Sequence, residues 1–304
     1  MTTEKLKRNF PLTEQTLLLS AIAFLLLALY APVLVHWYDG WLNKSISIEH
    51  EYFSHGLIGI PFAAYIAWTK RHRWQQLANR SHLLGGILIG LGGIFYLSGL
   101  PHFVNLSFPA ILSGICLWLK GIPGFRLMGF PLLLVFLATP TDVPYLIEPY
   151  ALPLQSFIAN IAGFILSSLG MDVTVEQIYL FVGGRVVEVA PHCAGLKMLF
   201  TSLYVSLMLL YWSGAIASRR KTSLLLGGAA LISVTANIIR NTLLTYFHGT
   251  GNAALFDWLH ESWGGDLYSA GMLGLIVVLL NVIDREDEEW DDEAEADKLE
   301  SEQS

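Results

Sequence analysis

Ala151-Leu-Pro-Leu-Gln-Ser-Phe-Ile-Ala-Asn-Ile-Ala-Gly-Phe-Ile-Leu-Ser-Ser-Leu169 decides the topology of this chain. The run is apolar enough to be weighed as a membrane span. Yet Gln155, Ser156, Ala159, Asn160, Gly163 and Ser167 recur at helical spacing opposite Leu154, Phe157, Ile158, Ile161, Phe164 and Ile165. Whether it crosses decides the side of the membrane on which every later residue falls.

That there is a membrane follows from composition. Hydrophobic residues make up 54% of the 304 and charged residues only 14%. With a mean hydropathy of +0.52, these values exclude an ordinary soluble globule. The net charge of -7 misleads, because much of the acid lies in Asp284-Arg-Glu-Asp-Glu-Glu-Trp-Asp-Asp-Glu-Ala-Glu-Ala-Asp297. Elsewhere the balance is mildly basic, with Lys and Arg in short runs beside apolar segments. That pattern suits cytoplasmic loops and not a nucleic-acid surface.

Eight further runs are candidate spans: Leu17–Val35, Leu57–Trp68 with its flanks, Leu83–Leu100, Val104–Leu119, Leu127–Thr139, Ala194–Trp212, Ser223–Phe247 and Leu267–Ile283. The first lacks a small-residue cleavage site and reads as a retained helix behind Lys5, Lys7 and Arg8, so no cleavable signal peptide is expected. The distribution of cationic loops then judges the ninth run. With the N-terminus inside, Lys70-Arg-His-Arg73, Arg80, Lys120 and Arg126 fall inside, while Asp39, Glu49, Glu51, Asp142 and Glu148 fall outside. Arg219-Arg-Lys221 joins the inner set only if 151–169 does not cross. We therefore read 151–169 as an amphipathic helix at, or dipping into, the outer face. A spanning helix that packs its polar face in the bundle is the rival.

The expected fold is an all-α polytopic membrane protein of about eight spans. It comprises a cytoplasmic N-terminus (1–16), one membrane domain (17–283) and an acidic, disordered cytoplasmic tail (284–304). Residues 140–192 form one extracytoplasmic excursion. Inside it, Gln177–Val182 and Arg185–Val189 flank Gly183-Gly184 and predict a β-hairpin. The hairpin is open to two uses, an edge for an extended peptide or a lid that holds the next helix.

The topology gathers three chemically capable residues on the outer face. Cys193 stands in Glu188-Val-Ala-Pro-His-Cys-Ala-Gly-Leu-Lys197, where a strand-like stretch turns into an apolar helix. A membrane cysteine is ordinarily small apolar filler, and Cys116 fits that description. A disulfide between the two would have to bridge the bilayer. Cys193 reads equally as shielded filler or as a thiolate stabilised by a helix N-terminus. Arg240, in Ile232-Ser-Val-Thr-Ala-Asn-Ile-Ile-Arg-Asn-Thr-Leu-Leu244, lies roughly 25 Å up its helix from Ser223. A guanidinium there calls for a partner or a role, with snorkelling to outer phosphates as the plain alternative. Asn237 and Asn241 share its side of the helix. His260, in Asp257-Trp-Leu-His-Glu-Ser-Trp-Gly264, has the chemistry of a general acid/base. His192, His248, His50 and His55 are also expected outside. However, no second histidine follows His260-Glu261 at ligand spacing and no thiolate cluster exists, so we expect no metal and no cofactor.

In this order the motifs resemble those of the exosortase/archaeosortase family of multi-spanning membrane cysteine transpeptidases, over roughly residues 50–283. Glu51-Tyr-Phe-Ser-His-Gly-Leu57 is similar to the family's early Tyr-Ser-His-Gly block. Phe130-Pro-Leu-Leu-Leu-Val-Phe-Leu-Ala-Thr-Pro140 and Leu152-Pro-Leu-Gln155 follow. Cys193-Ala-Gly-Leu-Lys197 resembles the nucleophile motif Cys-Ser-Gly-Leu-Arg, Ala236-Asn-Ile-Ile-Arg240 the Asn-x-x-Arg block, and His260 the His block. The resemblance implies a cysteine peptidase or transpeptidase that cleaves C-terminal sorting signals, of the Pro-Glu-Pro type in bacterial members, on membrane-anchored exported proteins. Cys193 would be the nucleophile, Arg240 the stabiliser of negative charge and His260 the proton shuttle. The acyl group would pass to an envelope acceptor or to water. It also implies a bacterial or archaeal cell membrane, with the site on its extracytoplasmic side. His192, Lys197 and Asn237 are supporting candidates. Ala194 and Lys197 depart from the family's Ser and Arg, removing a hydroxyl and exchanging a planar fork for a point charge. The competing reading is a transporter or an envelope or polysaccharide assembly factor with Arg240 in a polar pathway.

Overall fold

The computed structural model describes residues 12–42, 52–189, 195–260 and 262–303. The helices among them are α1 (Leu12–Leu42), α2 (Gly56–Thr69), α3 (Arg71–Gln76), α4 (Leu83–Leu97), α5 (Pro101–Leu127), α6 (Gly129–Ala138) and α7 (Val143–Ile147). They continue with α8 (Leu152–Ser168), α9 (Leu196–Ser213), α10 (Arg219–Gly249), α11 (Ala253–His260) and α12 (Trp263–Gln303). Five helices carry stretches long and apolar enough to cross a membrane: Ser20–Leu42, Pro101–Leu127, Leu196–Ser213, Arg219–Gly249 and Trp263–Arg285. Gly56–Thr69, Leu83–Leu97, Gly129–Ala138 and Leu152–Ser168 are shorter apolar helices. Large apolar side chains such as Phe24, Leu83, Leu97, Leu231 and Val278 are exposed, as hydrocarbon-facing surfaces require. The protein is an all-α polytopic membrane protein with one small sheet.

Small residues set the helix spacing, since no hydrophobic drive separates helix from lipid. In the α4–α5 pair a Cβ on Gly85 would stand 2.8 Å from the Gly114 carbonyl oxygen, and one on Gly114 would stand 2.9 Å from that of Gly85. Helix α5 continues past the expected end of its span because its break is internal, at Gly121 (φ 64, ψ -157). The Lys120 ammonium there donates to the Leu77 carbonyl and to Asn79 Oδ1, both at 2.7 Å.

Helix α8 turns part of its polar stripe inward. Gln155, Ile158, Ala159, Ala162, Gly163 and Leu166 are buried, while Phe157 and Phe164 face outward. Ile158, Ala159 and Ala162 form a core with Leu180 and Val189, against which Ile238 of α10 packs. The small members of the stripe are thus packing surface, and Gly163 lets Val175 close onto the helix.

The expected hairpin is a three-stranded antiparallel sheet of order β1 (Val173–Glu176), β2 (Tyr179–Val182) and β3 (Arg185–Glu188). Gly183 and Gly184 form its second turn with φ of 57° and 73°, the left-handed pair that a two-residue hairpin needs. β1 was not anticipated because Gln177, read as strand, takes φ 55 and turns the chain so that Glu176 pairs with Tyr179. At the acidic end, α12 runs to Gln303, through a segment rich in the good helix formers Glu, Ala, Leu and Lys.

Two contacts orient the bundle. Lys221 and Asp284 pair at 2.8 Å, joining the start of α10 to the membrane-proximal part of α12. At the far end of α10, Arg185 donates to the His248 carbonyl at 2.8 Å, and Gly183 abuts the Gly249 backbone. The sheet therefore caps the end of α10 opposite the Lys221–Asp284 pair.

Candidate active site

Arg240 lies near the sheet-capped end of α10, about 28 Å of helical rise beyond Lys221, and is half-buried. Its Nη2 donates to the Leu259 carbonyl at 3.4 Å, a long bond that fastens it to the last turn of α11. Its Nε is buried and has no hydrogen-bond partner among the described residues. A guanidinium so placed retains a donor for an incoming negative charge.

His260 is the last residue of α11, adjacent to the carbonyl that Arg240 contacts. Its ring stacks on Phe256, with centroids 5.2 Å apart and planes at 14°. Phe256 in turn lies 5.2 Å from the His248 ring. The short reversal from α11 into α12 depends on glycine. A Cβ at Gly264 would stand 2.5 Å from the Trp258 ring, and one at Gly265 would stand 2.8 Å from the Leu259 carbonyl oxygen. These two positions let α11 fold back over the start of α12, with the Leu259 carbonyl against Arg240.

Cys193 and His192 lie outside the described residues, but both flanks of their segment are placed. Upstream, the Val189 N–H donates to the Ile178 carbonyl at 2.9 Å, and Gln155 Nε2 donates to the Val189 carbonyl at 2.8 Å. Downstream, Gly195 caps α9 in the left-handed conformation (φ 79, ψ 9). A Cβ on it would stand 2.6 Å from Asn237 Cγ. Asn237 is buried and lies one helical turn before Arg240. Helix α9 begins at Leu196, three positions after Cys193 in the sequence.

Lys197, the second residue of α9, is half-buried. Asn241 donates to the Asn237 carbonyl at 2.9 Å, continuing a buried polar row of Ser233, Asn237, Asn241 and Thr245 on α10. Behind it, Met198, Ala236 and Met272 form a core joining α9, α10 and α12. The Tyr268 hydroxyl donates to the Ala236 carbonyl at 2.6 Å. Tyr52 and Phe53, from the early motif block, pack near Leu196 and Phe200 of α9. His55 is buried in that neighbourhood, its ring 4.3 Å from that of Tyr204. Its Nε2 lies 3.1 Å from the Leu137 carbonyl oxygen. The motif blocks that are far apart in sequence thus meet around the start of α9. Sequence reasoning placed Gln155 in a polar stripe and a motif block but not against the Val189 carbonyl, and it missed Tyr268 and the role of Gly195, since each is ordinary until its partner is known.

These features define a multi-pass membrane protein with a polar, arginine-bearing site at one end of its bundle. The chain belongs to the transmembrane exosortase family, whose family model matches residues 41–277. Searches among curated proteins and among solved structures return no match.

Proposed function

We propose that this exosortase-family protein is a membrane cysteine transpeptidase or protease. It cleaves C-terminal sorting signals of membrane-anchored exported proteins at the extracytoplasmic face. The Cys193 thiolate attacks the scissile carbonyl, and a C–S bond forms as the carbonyl becomes a tetrahedral oxyanion facing Arg240. The C–N bond then breaks, and the leaving amine takes a proton from the His260 imidazolium. The thioester passes its acyl group to an acceptor amine or to water. Neutral His260 takes the acceptor's proton, and the thiolate is regenerated.

The observation that carries this reading is the juxtaposition of Arg240 and α11. The guanidinium contacts the Leu259 carbonyl, next to His260 on α11, while Asn237, one turn earlier on Arg240's own helix α10, presses against Gly195. Chain geometry limits the Cys193 Cα to within about 7.6 Å of the Gly195 Cα. The family membership supports the peptidase chemistry. In the test, a tagged membrane-anchored substrate is expressed with the wild type and with Cys193→Ala. Processing should disappear while the variant remains inserted. Full processing by Cys193→Ala would overturn the reading and favour a transporter or assembly factor.

A further inference from the structure

The end of the bundle opposite Arg240 carries an uncompensated positive charge. Between Tyr52 and Thr141 the sequence holds Lys70, Arg71, Arg73, Arg80, Lys120 and Arg126 but neither Asp nor Glu. The fold draws these cations together. Lys70, between α2 and α3, donates to the Leu127 carbonyl at 2.8 Å, which joins it to the end of α5 beside Arg126. Its ammonium also lies 5.2 Å from the centre of the Tyr211 ring, near the end of α9 that leads into α10 at Arg219. The buried Lys120 ammonium is held by the Leu77 carbonyl and Asn79 Oδ1, and a Cβ on Gly121 would stand 3.0 Å from the Arg80 carbonyl oxygen. One on Gly124 would stand 3.0 Å from the Trp74 ring, next to Arg73. Residues 70–80 and 120–127 thus form one surface. The contacts that assemble it run to carbonyls, an amide and aromatic rings, none of which neutralises the charge.

Apolar side chains are set among the cations. Trp68, Ile122 and Phe125 are exposed, and the Arg71 guanidinium lies 4.4 Å over the Trp68 ring. An exposed tryptophan beneath a guanidinium, at the end of an apolar helix, suits the headgroup layer of a bilayer. Free phosphate would use the charge but not the apolar side chains. The acid nearest in the fold is committed elsewhere: Asp284 pairs with Lys221, and α12 packs on α9, α10 and α11.

We propose that this surface binds the phosphodiester headgroups of anionic phospholipids in the leaflet at that end of the bundle. Arg71, Arg73, Arg80 and Arg126 take the phosphates, while Trp68, Ile122 and Phe125 meet the upper acyl chains. Lys120 is not a ligand; it pins the 77–80 loop that places Arg80. The site shares no residue with the proposed peptidase chemistry.

The experiment is native mass spectrometry of the full-length, delipidated protein in detergent, titrated with dioleoyl phosphatidylglycerol or dioleoyl phosphatidylcholine. Wild type should prefer the anionic lipid by on the order of a hundredfold, since each Lys or Arg beside an anionic headgroup contributes about fivefold. Arg73 and Arg126 are exposed, so their replacement leaves the packing intact. Arg73→Gln with Arg126→Gln should remove about twentyfold of that affinity, and Arg73→Lys with Arg126→Lys should keep it within about threefold. Equal affinity for the two lipids would overturn the proposal. So would an equal loss from Arg219→Gln with Arg220→Gln on α10, which would reduce the effect to a general attraction of basic loops. Displacement of the lipid by inorganic phosphate would make the occupant a free anion. A gain of about tenfold in lipid affinity when the Asp and Glu residues of 286–302 are changed to their amides would make the occupant the chain's own acidic end. Either of these results also overturns it.

Discussion

Gly195→Ala probes the joint between the cysteine segment and the arginine helix. Two penalties are expected at that position. The residue has φ 79, where an L side chain costs about 1–2 kcal/mol. Its new Cβ would also stand 2.6 Å from Asn237 Cγ and 2.9 Å from Asn237 Cβ. Asn237 is 1% exposed and cannot swing into solvent, so overpacking adds about 1–3 kcal/mol. The sum is a loss of about 2–5 kcal/mol, together with a displaced cysteine segment and lost processing. The assay is reversible unfolding in mixed micelles, run as a double-mutant cycle with Asn237→Ala. Shortening Asn237 to Ala removes the 2.6 Å contact with Cγ but leaves the 2.9 Å contact with Cβ and the backbone strain, so the cycle should show a coupling of about 1–2 kcal/mol in favour of the double variant, part of the overpacking cost. A stable Gly195→Ala, or one whose loss adds to that of Asn237→Ala without coupling, would refute the close approach of these two segments.

Other positions give independent checks. Gly183→Ala should loosen the sheet from α10, because its Cβ is aimed at the Gly249 backbone; proteolytic nicking between 176 and 189 should rise. Gly184→Asn, with φ 73 and open space around the position, should change stability by less than about 1 kcal/mol. Arg240→Lys should insert normally yet lower processing by about a hundredfold or more, since a point charge does not reproduce the guanidinium's donors. The rate is read from single-turnover cleavage of a tagged substrate, and a near-normal value would remove Arg240 from the chemistry. Lys221→Met should cost less than about 1 kcal/mol, because the Lys221–Asp284 pair is partly solvent-exposed; a large loss in thermal stability would contradict that.

The parts of the fold legible in sequence are those whose signal is local. A long apolar run must form a helix in hydrocarbon because every backbone polar group has to be satisfied within it, so the cores of the spans were readable. Gly183-Gly184 was readable because two successive left-handed residues belong to a tight hairpin turn. Gln177 was not, since a glutamine with positive φ looks like any other strand residue until β1 is seen to pair across it. The break in α5 was hidden for a similar reason. Gly121 is one glycine among many in apolar surroundings, and what marks it is the positive φ beside the Lys120 bonds to Leu77 and Asn79.

The candidate site divides along the same line. Arg240 and His260 announce themselves because an ionisable group beside apolar sequence is expensive wherever it points. Gln155 and Gly195 are inexpensive in isolation, and their meaning lies in the Val189 carbonyl and the Asn237 side chain, reached only after the chain has folded back. In the proposed site, the ionisable groups supply the reactivity and the inconspicuous ones hold the geometry. Relocating the charge should therefore abolish the chemistry outright, whereas Gly195→Ala should act by forcing Gly195 and Asn237 apart. The two kinds of defect are separable, because alkylation of Cys193 reports the thiol and processing reports its alignment with Arg240 and His260.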